Sequence, residues 1–236
     1  MEGPRLSFTD LIVLLRQKNK PGPYRTWTPE RVITWDDMRR GYVYEEELNH
    51  FKGLLIEEYT PVLNVACGIG RFLELFPRDG CVNLDFSPSM LKVTKQRNHG
   101  STLILADAFH PPFRVGIFSA VFSCRLFHHQ RDPKPLLQVF RDMVKNGGAI
   151  FFDATHRSSI PQLVANLLGI ILYGSNVKQV ENDIKSVGMV VDKVSSGFLL
   201  PAIIYGFLLE PFVRVLDTLF SRILPSRSFW RVRKWR

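Results

Sequence analysis

The sequence predicts an α/β fold built on a doubly wound, mostly parallel sheet, and three observations carry that expectation. Short apolar runs near 61–66, 80–85, 102–106, 117–123 and 148–153 alternate with helical segments near 69–76, 88–97 and 133–145. That alternation is the signature of strand–helix–strand crossovers with helices on both faces. Helix boundaries are also written in the chain. Ser87-Pro88 and Asp132-Pro133 each place an N-cap before a proline at the first helical position, and Asn146-Gly147-Gly148 reads as a stop. Finally, the first apolar run breaks into glycines, Val-Leu-Asn-Val-Ala-Cys-Gly-Ile-Gly over 62–70, and Asp85 closes the next run fifteen positions after Gly70. This is a strand, a tight turn and a helix entry.

The flanking elements follow in order. Ser7 caps a short helix over 7–17 with Leu11, Leu14 and Leu15 on one stripe. Residues 24–44 hold Tyr24, Trp27, Trp35, Tyr42 and Tyr44 among charges, a composition suited equally to a cap over a pocket and to simple packing. We divide the chain into a cap segment, 1–44, and a main domain, 45–236, opened by a helix from Glu45 to Glu58. Within the main domain, 60–155 is the ligand-binding half, 156–224 carries apolar helices and 225–236 is a basic tail. The later elements are an apolar helix over 160–173, a helix capped by Ser175, a strand from Met189 to Ser195, an amphipathic helix from Pro211 to Leu224, and an edge strand from Phe229 to Trp235.

Composition narrows the class. The formal charge of +9 is concentrated at the end, where Arg222, Arg227, Arg231, Arg233, Lys234 and Arg236 follow the last acid, Asp217. Such a tail suits an anionic membrane surface or nucleic acid, or a solvated terminus. Three cysteines, an odd count without paired metal spacing, fit a reducing cytoplasmic setting and no metal site. The first residues lack the basic-then-apolar order of a signal peptide. The longest apolar run, Phe198–Leu209, holds Pro201 and Gly206 and falls short of the ~20 residues that span a bilayer.

Glycines at 68 and 70 let a ligand lie against backbone, and a carboxylate at 85 can accept two hydrogen bonds from a ribose diol. A dinucleotide turn would need a third glycine where Leu73 stands, and a P-loop would need Gly-Lys-Ser/Thr. The pattern suits a nucleoside-containing ligand bearing no phosphate; the alternative is an ordinary βα turn with a chance Asp downstream.

The segments Val-Leu-Asn-Val-Ala-Cys-Gly-Ile-Gly-Arg-Phe and Leu-Asp-Phe-Ser-Pro-Ser-Met-Leu resemble motif I and the acidic motif of class I S-adenosylmethionine-dependent methyltransferases. Further matches are Asp107 after the third strand, Ser119-Ala-Val-Phe-Ser-Cys as motif IV, and Asp132-Pro-Lys-Pro with Asn146-Gly-Gly. The resemblance covers roughly residues 45–155. It implies a Rossmann-like, seven-stranded sheet and S-adenosylmethionine as cofactor. It implies cofactor contacts from Asn64, Ala66, Gly68, Gly70, Asp85, Phe86, Met90, Asp107, Ala108 and Ser123. Asp107 is expected to take the adenine amine and the Ala108 amide a ring nitrogen. The family usually has an acid at position 64 and glycine at 66, so Asn64 and Ala66 are departures.

His128 and His129 follow the fourth strand, beside the expected acceptor, and are the candidate catalytic bases; their alternative role is to hydrogen-bond the loop. No Asn/Asp-Pro-Pro-aromatic run follows that strand, which disfavours methylation of a base amine. The expected acceptor is a small lipophilic molecule, because 160–174 and 198–224 are more apolar than packing requires. A non-catalytic cofactor-binding module, and an RNA or protein methyltransferase using the basic tail, are the alternatives.

Overall fold

The computed structural model describes residues 41–97, 100, 102–167, 173–200, 205, 210–221 and 223–234. The expected helix over 7–17 and the aromatics Tyr24, Trp27, Trp35 and Trp235 lie outside them. Seven strands form one sheet: β1 (Val62–Val65), β2 (Cys81–Asp85), β3 (Thr102–Leu105), β4 (Phe118–Phe122), β5 (Val144–Thr155), β6 (Met189–Gly197) and β7 (Arg227–Lys234). Their order is β3-β2-β1-β4-β5-β7-β6. The first five run parallel, and β7 is antiparallel to both β5 and β6.

Helices α1 (Tyr42–Leu54), α2 (Pro88–Arg97), α3 (Lys134–Met143), α4 (Ile160–Leu167), α5 (Val177–Ser186) and α6 (Glu210–Phe220) accompany the sheet. Because side chains alternate along a strand, β5 and β7 each serve two cores. Phe151 and Phe229 pack under α1 with Phe51, Leu54 and Phe122. Ile150, Phe152, Trp230 and Val232 pack on the other face with Leu136, Phe140, Val180 and Ile184 of α3 and α5.

Several expected elements shift. No α-helix follows β1: residues 69–76 form turns and a 3-10 segment, Leu73–Leu75. Pro77 and Gly80 leave too few residues to repay helix nucleation, and the short path still buries Phe72, Leu73 and Phe76. Helix α3 ends at Met143, and the expected glycine stop lies inside β5. There a Cβ on Gly148 would come within 2.6 Å of the Ser119 carbonyl oxygen, so the glycine admits the neighbouring strand. Asn176, not Ser175, caps α5, its Oδ1 accepting from the Gln179 amide at 2.7 Å.

The largest correction concerns the residues expected as a basic tail and edge strand. Strand β7 lies inside the sheet, with β6 at the edge. Phe229 and Trp230 are fully buried, Arg231 is buried, and the Arg227 side chain is only 11% exposed. Arg233 pairs with Asp192 and Glu57, and Lys234 Nζ donates to the Arg141 and Val144 carbonyls. Arg227, Arg231, Arg233 and Lys234 are thus engaged within the fold, while Arg222 and Arg236 lie outside the described residues.

Candidate functional site

The strand order reverses between β1 and β4, so a crevice opens at their carboxyl ends, where ligands bind in doubly wound sheets. The loop after β1 is its floor. Its residues Ala66, Gly68 and Gly70 all have positive φ, at 55°, 57° and 77°. The two glycines do different work. A Cβ on Gly70 would meet Leu73 Cδ1 at 2.6 Å and Thr94 Cγ2 at 2.9 Å, so this glycine lets the loop fold onto its own neighbours. A Cβ on Gly68 would meet no atom within 4 Å. Open space over bare backbone is what a ligand lying on the loop requires.

Asp85, at the end of β2, is buried. Its Oδ2 accepts from the Gly68 amide at 2.8 Å and its Oδ1 from the Ser87 amide at 2.9 Å. Each oxygen keeps a second lone pair for a hydroxyl donor. Burial raises the carboxyl above its usual range, opposed by those amides, and a diol would satisfy the remaining acceptor capacity. Asp107 is half-buried after β3, with Oδ1 accepting from the Phe109 amide at 3.0 Å. Phe86 is exposed beside the crevice, and Met90 and Ala108 are partly covered. Ser123, fully buried at the end of β4, has an Oγ without a hydrogen-bond partner among the described residues. This set fits a nucleoside cofactor: an open glycine floor, acids ending β2 and β3, and an unspent hydroxyl.

Two expected contacts behave differently. The Asn64 amide is tied to the neighbouring strand through its Nδ2, which donates to Asn83 Oδ1 at 2.9 Å across the β1–β2 pair. Ala66 adopts a left-handed conformation that costs a residue with a Cβ roughly 1–2 kcal/mol, which explains why glycine is usual there. His128 and His129 occupy a 3-10 turn, Phe127–His129, anchored by Phe127 stacked on Phe152 at 4.4 Å. Their rings lie 4.0 Å apart; His128 is half-buried and His129 exposed.

The sequence reading missed a buried ion network at the ends of β4 and β5. Glu47 of α1, fully buried, accepts from the Arg125 and Arg227 guanidiniums. Asp153, at the end of β5, accepts from the Arg125 amide at 2.5 Å and from Arg227 Nη2 at 2.6 Å. Arg71, in the loop after β1, lies 3.7 Å from Glu47. Burial alone would raise the Glu47 carboxyl, but Arg125, Arg227 and Arg71 overturn it and hold it at about 2. One signal was available: Val43, Glu47, Phe51 and Leu54 fall on one helical stripe, which puts the acid on the buried face.

With this geometry in place, comparison with known proteins is decisive for the central segment, since residues 63–152 match the family model described as "Methyltransferase domain". Residues 63–152 are thus similar to a methyltransferase domain. A malonyl-[acyl-carrier protein] O-methyltransferase from Hamiltonella defensa is 30% identical to the chain over 104 residues, 43% of this chain and 40% of that protein. A demethylmenaquinone methyltransferase from Renibacterium salmoninarum is 36% identical over 91 residues, 38% of each chain. The chain thus spans about two fifths of the length of these relatives. Among solved structures, an S-adenosylmethionine-dependent methyltransferase from Thermotoga maritima superposes with a TM-score of 0.66 at 15% identity, covering 87% of this chain and 95% of that one. The chain therefore has the expected Rossmann-like, seven-stranded fold.

Proposed function

We propose that the protein transfers a methyl group from S-adenosylmethionine to a small lipophilic acceptor. The observation that carries this reading is the pairing of an open backbone at Gly68 with the buried Asp85 carboxylate at the switch point of a methyltransferase domain. Bound S-adenosylmethionine supplies an electrophilic methyl on a sulfonium. Asp85 would take the ribose hydroxyls, Asp107 the adenine amine, and Ser123 a polar atom at the end of β4. His128 and His129 stand after β4, where one of them would accept the proton lost by a hydroxyl or acidic carbon acceptor.

The lipophilic acceptor is supported by the apolar side chains that α4 and α6 expose beside the β5 end of the sheet. Names among the relatives, such as ubiquinone biosynthesis O-methyltransferase and demethylmenaquinone methyltransferase, accord with it. The cross-strand tie of Asn64 and the strained Ala66 favour a second reading, a cofactor-binding module without turnover.

Titration calorimetry with S-adenosylmethionine and its demethylated product tests the cofactor. Wild type should bind both, and Asp85→Ala should weaken binding by about 1.5–3 kcal/mol. The absence of any binding heat would end the proposal. Turnover on quinol-type acceptors separates the two readings. A histidine acting as base should lose about 10²–10⁴ in rate on change to alanine, with cofactor affinity unchanged.

A further inference from the structure

Helix α6 is packed inside out. Its inward side carries Val213 and an acid, Asp217, both buried. Three donors saturate that carboxylate: Tyr42 Oη on Oδ2 at 2.9 Å, and Tyr205 Oη and the Leu199 amide on Oδ1 at 2.6 and 3.0 Å. The outward side carries Phe212, Val215, Leu219 and Phe220, with Phe212, Val215 and Leu219 each more than half exposed. A buried network thus fixes the helix with its apolar stripe toward the outside, where a helix merely covering a sheet would reverse the two sides.

Helix α4 repeats this exposure with Leu163 at 60% and Leu167 at 78%. Both helices lie at the rim where β5 leaves the sheet and β7 enters it. The His156 amide donates to the Ser226 carbonyl at 2.9 Å, and the Ser226 amide to that of Phe198 at 2.6 Å. These bonds bring the start of α4 close to the segment that follows α6. The same rim holds Asp153, and the histidine turn reaches it through the Tyr173 amide, which donates to the His128 carbonyl at 3.1 Å.

Around α4 the charge has one sign. Residues 158–177 contain no acidic or basic side chain, and Arg157 and Lys178, both exposed, bracket them. At α6 the acids Glu210 and Glu45 share Arg214, and Asp217 is buried. An apolar surface whose α4 part is bordered by the exposed cations Arg157 and Lys178 is complementary to anionic headgroups above acyl chains.

We infer that the α4–α6 face docks on an anionic lipid bilayer surface and presents the acceptor rim to molecules dissolved in that layer. This rests on the proposed methyl transfer only for what the docking is for. The binding itself is a property of the face.

Co-sedimentation of the full chain with phosphatidylcholine vesicles, with and without phosphatidylglycerol, tests it. The protein should pellet with the phosphatidylglycerol vesicles and at least about tenfold less with phosphatidylcholine alone or in high salt. Leu163→Glu with Leu219→Glu should cut partitioning at least about tenfold, and Arg157→Glu with Lys178→Glu should remove the preference for anionic lipid. Both pairs should keep the wild-type melting temperature and affinity for S-adenosylhomocysteine, since the altered side chains are exposed.

Wild type that stays in the supernatant, or variants that pellet like wild type, would overturn the inference. So would a dimer that Leu219→Glu dissociates in the absence of vesicle binding, which would assign the face to a second copy. Cofactor heat without vesicle binding rejects this inference alone; vesicle binding without cofactor heat rejects methyl transfer alone.

Discussion

The two halves of the sheet solve different problems with different materials. From β1 to β4 the crevice is built from backbone: positive-φ turns, amides held by Asp85, and a glycine with nothing above it. From β5 to β7 the equivalent end is built from side chains drawn from distant parts of the chain, with Glu47, Arg125, Asp153 and Arg227 meeting in one buried cluster. A backbone site is specified locally and leaves a short sequence trace. A side-chain network is specified by the fold and leaves almost none.

The most forceful way to break this comparison is to remove the acid that ties the second half together. Glu47→Ala strands the Arg125 guanidinium, leaves Arg227 with Asp153 alone, and should cost about 3–5 kcal/mol, read as a lowered denaturation midpoint. Glu45→Ala, which leaves the exposed Arg214 with Glu210 alone, should stay within about 1 kcal/mol. A similar loss for both would mean that the network is no more than surface pairing.

Acid sharpens the same point. The Glu47 carboxyl falls from 4.5 to about 2 on folding, so its stabilisation is complete above about pH 4.5 and drains away as pH falls toward 2. The linked loss is on the order of 3 kcal/mol. His50 adds to it: burial, then Arg227, depress it from 6.5 to about 4, so protonation on the way to low pH also favours the unfolded chain. Stability measured against pH should decline through this window in wild type and more shallowly in Glu47→Gln.

The first half yields the smaller effects. Gly70→Ala and Gly68→Ala share a positive-φ penalty of about 1–2 kcal/mol. Only the first also strikes Leu73 and Thr94, so its melting temperature should fall further. Cofactor affinity should fall further in the second. Ala66→Gly should gain about 1 kcal/mol by releasing the same strain. Equal behaviour of the two glycine variants would remove the distinction between packing glycine and ligand glycine.

What the sequence disclosed follows this division. The strands, the crevice and the positions of Asp85 and Asp107 were readable because alternation, caps and glycines act within a few residues. The helix expected after β1 failed because the loop is short, and the basic tail failed because charge composition cannot tell a solvated arginine from one facing a buried acid. Arg227 and Asp153 are 74 positions apart, and no local pattern announces their meeting. Glu47 alone left a trace, as an acid on an apolar stripe.

The interior place of β7 carries a consequence for assembly. Strand β6 precedes β7 in the chain yet touches the sheet only through it. Order of synthesis and order of docking are therefore reversed at this edge. Until β7 is inserted, β5 presents an unpaired strand edge, and β6 with the helix before it has no sheet to join. Closure of the second half, the burial of Trp230 and the meeting of Arg227 with Glu47 are thus one event. On this topology the β5–β7 half is the last to close.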